Sequence, residues 1–435
     1  MTIAILVATF VVLLMVGMPI AFGIGIASAL AGLTYVLTGN PFVMDNVTLV
    51  QRMLFGINSF PLLACIFFVF TGVVMVRGGV AVRMVRMAEV LVGRFPGGLA
   101  QMNVMSSMLF GGVSGSAVAD VSSIGRMMIN AMEKDGYTRR FATAITLASA
   151  TMGPIIPPSI PFILYAYIAG NVSVAGLLLA GFIPGVMIGS GLLLASYIHG
   201  KLYHPSKTPK LSLREKVTRI IDGIGALFAL VIILVGITSG YFTATEAGAV
   251  AAVYALFLTM VVYRSVTWRD LPSVMWEACL TNAVVMMLIA TTSVFTYLIT
   301  YENIPDWVAE HVLAITDEKW VLLLMINVLL LAVGLFIDLA PALIMLVPIL
   351  LPLADKLDID LIHLGVVMVV NLTFGLITPP VGTSLFVGCR IANIQMTELV
   401  KPLLPLLAIM LSVLMFVTFM PELFMWLPRM FGFAR

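Results

Sequence analysis

Charged residues are scarce in this chain. Of 435 residues, 23 are Lys or Arg and 21 are Asp or Glu, which is 10% in all. A soluble protein carries about 25% charged residues, so too few charges are present to cover a water-exposed surface of this size. With 61% hydrophobic residues, the composition predicts a multi-pass protein surrounded by a lipid bilayer. The net charge of +2 gives no reason to expect a nucleic-acid partner.

Motifs for several kinds of chemistry are also missing. The three cysteines, Cys65, Cys279 and Cys389, lie in apolar runs without CxxC spacing, which argues against a disulfide framework or a zinc site. There is no Walker A lysine motif, no HExxH and no GxGxxG after a strand, so we expect neither ATP-driven transport nor an enzyme. The N-terminal apolar run lacks a basic region and a small-residue cleavage site, and is expected to be a retained helix.

Apolar runs of about 20 residues, the length needed to cross a bilayer, recur along the chain. The predicted spans are 3–37 (interrupted at Pro19), 54–76, 140–168, 174–199, 221–240, 244–263, 276–299, 361–388 and 399–427. Two other runs, 98–132 and 319–354, each contain a break, at 111–116 and at 334–341. Their halves are too short to span, so we expect two re-entrant helical hairpins, hairpin 1 and hairpin 2, whose unwound tips lie at mid-membrane.

The charged segments predict an orientation, because cytoplasmic loops are enriched in Lys and Arg. Segments 77–95 and 200–219 are basic and are predicted to be cytoplasmic, whereas 300–319 is acidic and is predicted to face outward. The residues counted are Arg77, Arg83, Arg86, Arg94, Lys201, Lys207, Lys210, Arg214, Lys216 and Arg219 against Glu89 and Glu215, and Glu302, Asp306, Glu310, Asp317 and Glu318 against Lys319. Hairpin 1 is then expected to enter from the cytoplasm and hairpin 2 from the outside.

A short motif occurs twice. Gly153–Pro158 and Gly375–Pro380 share the pattern GxxxPP at an offset of 222 residues. The same offset carries Ser116 onto Asp338, so that one hairpin tip matches the other. It also carries Asn58–Ser59 onto Leu280–Thr281, which we expect at the starts of matching helices. Because the two halves have opposite predicted orientations, the pattern indicates an inverted repeat, the architecture of many secondary transporters.

The broken regions are the strongest candidates for a binding site. Glycine and proline breaks free backbone carbonyl oxygens, and nearby hydroxyls, Ser384 included, add oxygens that suit a hard cation such as Na⁺. The predicted sodium ligands are Ser114, Gly115, Ser116, Thr151, Gly153, Gly334, Asp338, Thr378, Gly382 and Thr383. Free N–H groups at the half-helix N-termini suit an anionic substrate. The predicted substrate contacts are Ser116, Pro157, Pro158, Ser159, Pro379, Pro380 and Thr383.

Two acidic residues lie in the hairpins, where an ionisable group is costly and suggests a function. Asp338 at the second tip is predicted to belong to a cation site, whereas for Asp120 a functional role and a bracing role both stay open. Simple helix kinks with packing glycines are the alternative for all the breaks, and their occurrence in matched pairs disfavours it. Thr243 and Glu246 have the spacing of a capping box, which predicts a structural role for Glu246.

The order of these motifs resembles the large membrane subunit of the TRAP transporters (tripartite ATP-independent periplasmic transporters), the DctM-like permease. The residues that carry the resemblance are Asn58–Ala64, Phe110–Asp120, Gly153–Pro161, Gly240–Gly248 and Gly375–Thr383. The resemblance implies a sodium-coupled elevator transporter of the bacterial inner membrane that takes up a small carboxylate, such as a C4-dicarboxylate or a sialic acid. It also implies two partners, a separate small TRAP membrane subunit of four helices and a periplasmic solute-binding protein.

The expected fold class is therefore an all-α polytopic membrane protein, an inverted-repeat elevator-type transporter with two re-entrant helical hairpins. The predicted divisions are an N-terminal scaffold region (1–53), two transport-domain halves (54–168 and 276–390), scaffold helices with the basic loop (169–275) and a C-terminal helix (391–435).

Three alternatives remain. One is a standalone sodium/dicarboxylate symporter of the same architecture. Another is an intramembrane serine protease, since Gly112–Gly115 matches GxSG, although no histidine base lies inside a predicted span. The last is a purely structural scaffold, which is disfavoured because irregular backbone at membrane depth is expensive.

Overall fold

Helices make up the regular structure of the residues that the computed structural model describes, which are 2–38, 46–203, 211–316 and 318–434, and these residues contain no strand. The helices are α1 (Thr2–Met15), α2 (Ile20–Leu37), α3 (Asn46–Ile57), α4 (Phe60–Arg77), α5 (Val80–Val92), α6 (Gly98–Ser114), α7 (Ala117–Asp120), α8 (Arg126–Lys134), α9 (Arg139–Ala150), α10 (Ile160–Ala169), α11 (Val174–Tyr203), α12 (Leu213–Thr238), α13 (Ala244–Phe257), α14 (Leu271–Tyr301), α15 (Ile304–Leu313), α16 (Lys319–Gly334), α17 (Leu339–Lys356), α18 (Leu361–Gly375), α19 (Thr383–Ala392), α20 (Met396–Phe419) and α21 (Glu422–Met430). Turns of π-helix occupy Val121–Gly125 and Leu258–Val262. Among the described residues, eight helical segments are long and apolar enough to cross a membrane. Lys207, Lys210 and Asp317, which contribute to the predicted orientation, lie outside the described residues.

The 222-residue offset extends along the whole chain. In the first half, α6, α9, α10 and α11 begin at residues 98, 139, 160 and 174; in the second, α16, α18, α19 and α20 begin at 319, 361, 383 and 396. Hairpin 1 ends at Lys134 and hairpin 2 at Lys356, again 222 residues apart. By the same offset α12 and α13 correspond to α1 and α2, and α14 corresponds to α3 with α4. The predicted repeat is thus confirmed as two copies of one helical pattern.

The second copy is inverted with respect to the first. Each half contains four crossing helices, and the broken pair on either side of the GxxxPP motif adds a fifth. Each hairpin enters and leaves on one side and adds no crossing. Because five is odd, the second half begins on the opposite side of the membrane from the first. The assignment of the basic side to the cytoplasm stays a prediction.

Several predicted boundaries are wrong. The single spans 140–168 and 361–388 are each two helices, because the GxxxPP segments between them contain prolines that cannot continue a hydrogen-bonded helix. The equivalence of Asn58–Ser59 with Leu280–Thr281 as helix starts is also wrong. Ser59 precedes α4, whose first turn contains a proline, whereas Leu280 lies in the interior of α14.

The charged connections contain more helix than expected. The segment 77–95 holds the amphipathic helix α5, and the acidic segment 300–319 holds its counterpart α15. Arg214, Lys216 and Arg219, predicted in a loop, lie in the first turns of α12, because Ser212 and Glu215 form a capping box there. The predicted capping box of Thr243 and Glu246 at the start of α13 is confirmed.

Packing separates the helices into two groups. The outer group consists of α1–α4 and α12–α14, in which α13 packs along α4, and α14 packs along α2 and α3. The central group consists of the hairpins with α9–α11 and α18–α21, in which α11 packs against α6, α18, α20 and α21. The short helices α5 and α15 contact both groups. The hairpin tips therefore lie within the central group, on helices that also contact the outer group.

Candidate functional site

The tip of hairpin 1 is closed by side chains of its own segment. α6 ends at Ser114, Gly115 turns the chain with a φ of 61°, and Ser116 caps α7 by accepting a hydrogen bond from the N–H of Ala119. The Ser114 hydroxyl donates to Asp120 Oδ1 over 2.8 Å. Asp120 is only 1% exposed, and its other oxygen, Oδ2, has no hydrogen-bond partner among the described residues. A buried carboxylate in this state needs a proton or a cation.

The first GxxxPP segment forms the floor beneath this tip. A Cβ at Gly153 would lie 3.2 Å from the carbonyl carbon and 3.3 Å from the carbonyl oxygen of Ser116. A Cβ at Gly115 would lie 3.0 Å from the carbonyl oxygen of Pro158. Such close backbone approach leaves room for hydrogen only, which explains why glycine occupies both positions. Backbone oxygens of the tip and the floor therefore converge.

The tip of hairpin 2 is tied to the second GxxxPP segment by a side chain. Asp338 stands at the N-cap of α17, as the sequence predicts, and its Oδ1 accepts a hydrogen bond of 3.1 Å from the Thr383 hydroxyl. A Cβ at Gly382 would lie 2.9 Å from the carbonyl oxygen of Leu376 and 3.1 Å from that of Thr378. Gly334 and Gly375 meet backbone to backbone, as Gly111 and Gly153 do in the first half.

The remaining predicted hydroxyls have partners within their own segments. Thr151 donates to the carbonyl of Ala148 over 2.6 Å, and Thr378 donates to that of Phe374 over 2.7 Å. Ser159 caps α10 and donates to the carbonyl of Pro154. The lone pairs of these oxygens stay available to a ligand. The peptide bonds Pro157–Pro158 and Pro379–Pro380 are both cis.

The predicted residues form two clusters, one in each half. The first contains Ser114, Gly115, Ser116, Gly153 and Pro158, and the second contains Asp338, Thr378, Gly382 and Thr383. Each cluster offers backbone, hydroxyl and carboxylate oxygens, the donor set that a hard cation prefers. The buried and unpartnered Asp120 Oδ2 and Ser384 Oγ fit the same kind of ligand. Among the described residues no three His, Cys, Asp or Glu side chains gather as a metal site.

A network of amide side chains in the central group escaped the sequence argument. Asn371 Nδ2 donates to Asn327 Oδ1 over 2.7 Å, and Asn327 Nδ2 donates to the Thr418 hydroxyl over 2.9 Å. The network joins α16, α18 and α20 at buried positions. The available signal was a single asparagine inside each of two apolar runs, a residue that in a membrane must find a partner.

The protease alternative finds no support at Ser114. Its hydroxyl is bonded to Asp120, not to a histidine base. The expectation that no histidine enters a helix of the membrane region is wrong for His363, which lies buried in the first turn of α18. Its Nε2 lies 3.0 Å from the carbonyl oxygen of Val417, to which it is hydrogen bonded.

Comparison with known proteins gives a consistent result. Residues 7–423 match the family model described as "Tripartite ATP-independent periplasmic transporter, DctM component". The sialic acid TRAP transporter large permease protein SiaM of Vibrio cholerae is 40% identical over 419 residues, 96% of this chain and 96% of the relative. The C4-dicarboxylate TRAP transporter large permease protein DctM of Pseudomonas aeruginosa is 38% identical over 404 residues, 93% and 94% of the two chains. The solved structure of the YdaH transporter of Alcanivorax borkumensis, described as having an unusual topology, shares the fold with a TM-score of 0.58 and 17% identity, over 86% of this chain and 89% of that one.

Proposed function

Because this chain belongs to the DctM family, the large permease component of tripartite ATP-independent periplasmic transporters, we propose that it takes up a small organic carboxylate together with sodium. The observation that carries the proposal is the pair of oxygen-rich clusters at the hairpin tips. Each cluster includes a carboxylate, Asp120 or Asp338, that forms no ion pair with any described residue. A co-transported cation would supply the missing positive charge.

Sodium coupling follows from the chemistry of the donors. Backbone carbonyls, hydroxyls and single carboxylates suit a hard monovalent cation, which sheds its water easily among such oxygens. In the first half Ser114, Ser116 and Gly153 would hold the ion, with Asp120 behind Ser114. In the second half Asp338 and Thr383 would do so. Substrate carboxylate would bind between the tips, near the N-termini of α7 and α19, where free N–H groups and the positive end of the helix dipole favour an anion.

An elevator motion would move the central group past the outer group. The sequence argument placed 169–275 in the fixed part and 54–168 in the moving part. We instead assign α11 to the moving part, because it packs along α6, α18 and α20, and α4 to the fixed part, because it packs along α13. By the repeat, α20 and α14 follow α11 and α4. Both hairpins would then travel as one body.

The partners follow from the family. A tripartite system of this type combines the large permease with a small membrane subunit and a periplasmic solute-binding protein, so we propose both as partners in the bacterial inner membrane. Family membership favours this arrangement over a standalone symporter. The carboxylate stays open, because relatives named for sialic acid and for C4-dicarboxylates are 40% and 38% identical to this chain.

Uptake into proteoliposomes tests the proposal. The permease, its small subunit and the binding protein would be combined, and radiolabelled sialic acid and succinate would be offered with and without an inward sodium gradient. We expect accumulation of a carboxylate only with the gradient, and no requirement for ATP. Full uptake with sodium replaced by potassium, and with no proton gradient, would refute sodium coupling.

A further inference from the structure

The second arm of hairpin 1 carries a row of polar side chains that the rest of the described chain leaves exposed. Ser122, Arg126 and Asn130 follow one another at four-residue spacing, and all three are exposed, so they share one face of the arm. α19 packs beside the π-helical turn and α8, and it exposes Arg390. We call these four residues the vestibule face.

Contacts with α9 place the two arginines at the same depth. A Cβ at Gly125 would lie 2.9 Å from the Thr146 side chain, and a Cβ at Gly388 would lie 2.8 Å from the Leu147 side chain. Arg126 follows the first glycine by one residue, and Arg390 follows the second by two. Since Thr146 and Leu147 are consecutive, the two arginines flank one level of the central group.

This level lies between the hairpin tips and the membrane surface. Arg390 is seven residues from Thr383, which at about 1.5 Å per residue is about 10 Å along the helix. Arg126 is nine residues from Ala117, or about 14 Å by the same rise. The hydrocarbon half-thickness is about 15 Å, so both guanidinium groups begin at membrane depth. Charged groups there turn toward water or a partner charge, not toward lipid.

Neither arginine has an acidic partner. No ion pair of the described residues includes Arg126 or Arg390. The other half provides no counterpart, since the positions 222 residues away are Pro348 and Ile168. There the second arm, α17, is covered by α10, α14 and α15. The positive charge therefore belongs to one side of the molecule, the side predicted to be cytoplasmic.

We propose that the vestibule face lines a water-filled passage between the transport site and the cytoplasm, and that Arg126 and Arg390 bind the carboxylate of the cargo there. The proposal rests on the proposed function in one respect, that the cargo is a carboxylate. A guanidinium group offers a planar pair of donors that matches a carboxylate in two parallel hydrogen bonds. Two such groups at one depth give an anion a resting place after it leaves the tips, before it reaches bulk water.

Thiol labelling tests the passage without any assumption about the cargo. In a background with Cys65, Cys279 and Cys389 replaced by serine, Ser122→Cys and Asn130→Cys would be exposed to a charged, membrane-impermeant thiol reagent from the cytoplasmic face. Leu30→Cys is the control, because Leu30 is 44% exposed but lies in an apolar span. We expect rapid labelling at 122 and 130 and none at 30. Labelling at 122 and 130 as slow as at 30 would overturn the proposal.

Exchange measurements test the arginines. The double variant Arg126→Gln/Arg390→Gln would be compared with Arg86→Gln, which removes an exposed arginine of the same side, and with the double lysine variant. The rate at which sialic acid or succinate enters the site from the cytoplasmic face would be measured at fixed sodium and rising choline chloride. We expect the glutamine pair to be about tenfold slower at low ionic strength. The difference should shrink as salt screens the charges.

The outcomes separate the two proposals. If wild-type protein exchanges a carboxylate and the glutamine pair matches it at every ionic strength, the arginine role is refuted. If wild-type protein moves neither carboxylate, the proposed function fails, whereas the labelling result still decides whether the passage exists. If the glutamine pair does not fold, the lysine pair keeps the test, since it should retain the salt dependence and lose part of the rate.

Discussion

Replacing Gly375 with alanine should separate the two segments that support the second cluster. A Cβ at this position would lie 2.2 Å from the carbonyl oxygen, 2.6 Å from the carbonyl carbon and 2.8 Å from the Cα of Gly334. All three atoms are backbone, so no side-chain rotation can relieve the clash. The ends of α16 and α18 must move apart by about 1 Å to restore ordinary van der Waals contact.

The displacement has two expected consequences. Overpacking of this kind costs about 1–3 kcal/mol of unfolding free energy. A shift of about 1 Å between groups that hold a ligand can lower the rate about 100-fold, and this shift moves the Asp338 tip away from Thr378 and Thr383. We expect Gly375→Ala to lower the thermal midpoint in detergent and to reduce sodium-driven uptake by about two orders of magnitude.

Two matched variants calibrate this result. At Gly153, the position of Gly375 in the first half, a Cβ would lie no closer than 3.2 Å to its neighbours, so Gly153→Ala should have an intermediate effect. At Gly23 in α2 the nearest atoms are 3.8 Å away, so Gly23→Ala should be neutral or slightly stabilising. Wild-type stability and uptake in Gly375→Ala would refute the close contact of α16 and α18.

Two other predictions concern single side chains. Asp338→Asn keeps an acceptor for the Thr383 hydroxyl and removes the charge, so the sodium concentration for half-maximal uptake should rise about tenfold or more, while the midpoint without sodium is unchanged; Asp120→Asn is the comparison, and an unaltered sodium titration would remove Asp338 from the site. Asn371→Ala removes two hydrogen bonds to Asn327 and should cost about 1–3 kcal/mol in detergent unfolding, whereas Thr373→Val, whose only side-chain bond is to its own helix, should cost less than half as much; equal losses would contradict the network.

The hairpins could be predicted from sequence because their breaks are written in it. Gly115, Gly334 and the GxxxPP segments interrupt apolar runs, and a one-motif offset carried through the whole chain. The short helices α5 and α15 could not be recognised as helices, since their charges resemble those of loops. The split of 140–168 was missed as a boundary although its break was noticed, because apolar length alone does not distinguish one span from two half-helices.

Contacts between distant segments were beyond the sequence argument. The bond from Ser114 to Asp120 depends on how the chain turns at Gly115, and the sequence left Asp120 between two roles. The partner of α11 was likewise undetermined, because a helix rich in small residues can pack closely on many surfaces. Asn327 and Asn371 lie 44 residues apart, and nothing in either apolar run names the other.

The short connection between α5 and hairpin 1 limits how far an elevator can travel. α5 is held to the outer group by the ion pair of Glu89 with Arg219 and by Arg83 over the ring of Tyr263. Gly97 is pressed against Gly200 at the end of α11, where a Cβ at Gly200 would lie 2.0 Å from the Gly97 nitrogen. Residues 93–96 alone join these two anchors. Fully extended, the five Cα steps from Val92 to Gly97 reach at most about 18 Å. A longer stroke would require α5 to tilt out of its seat, so the length of one linker sets the greatest distance over which cargo can be carried by a fixed frame.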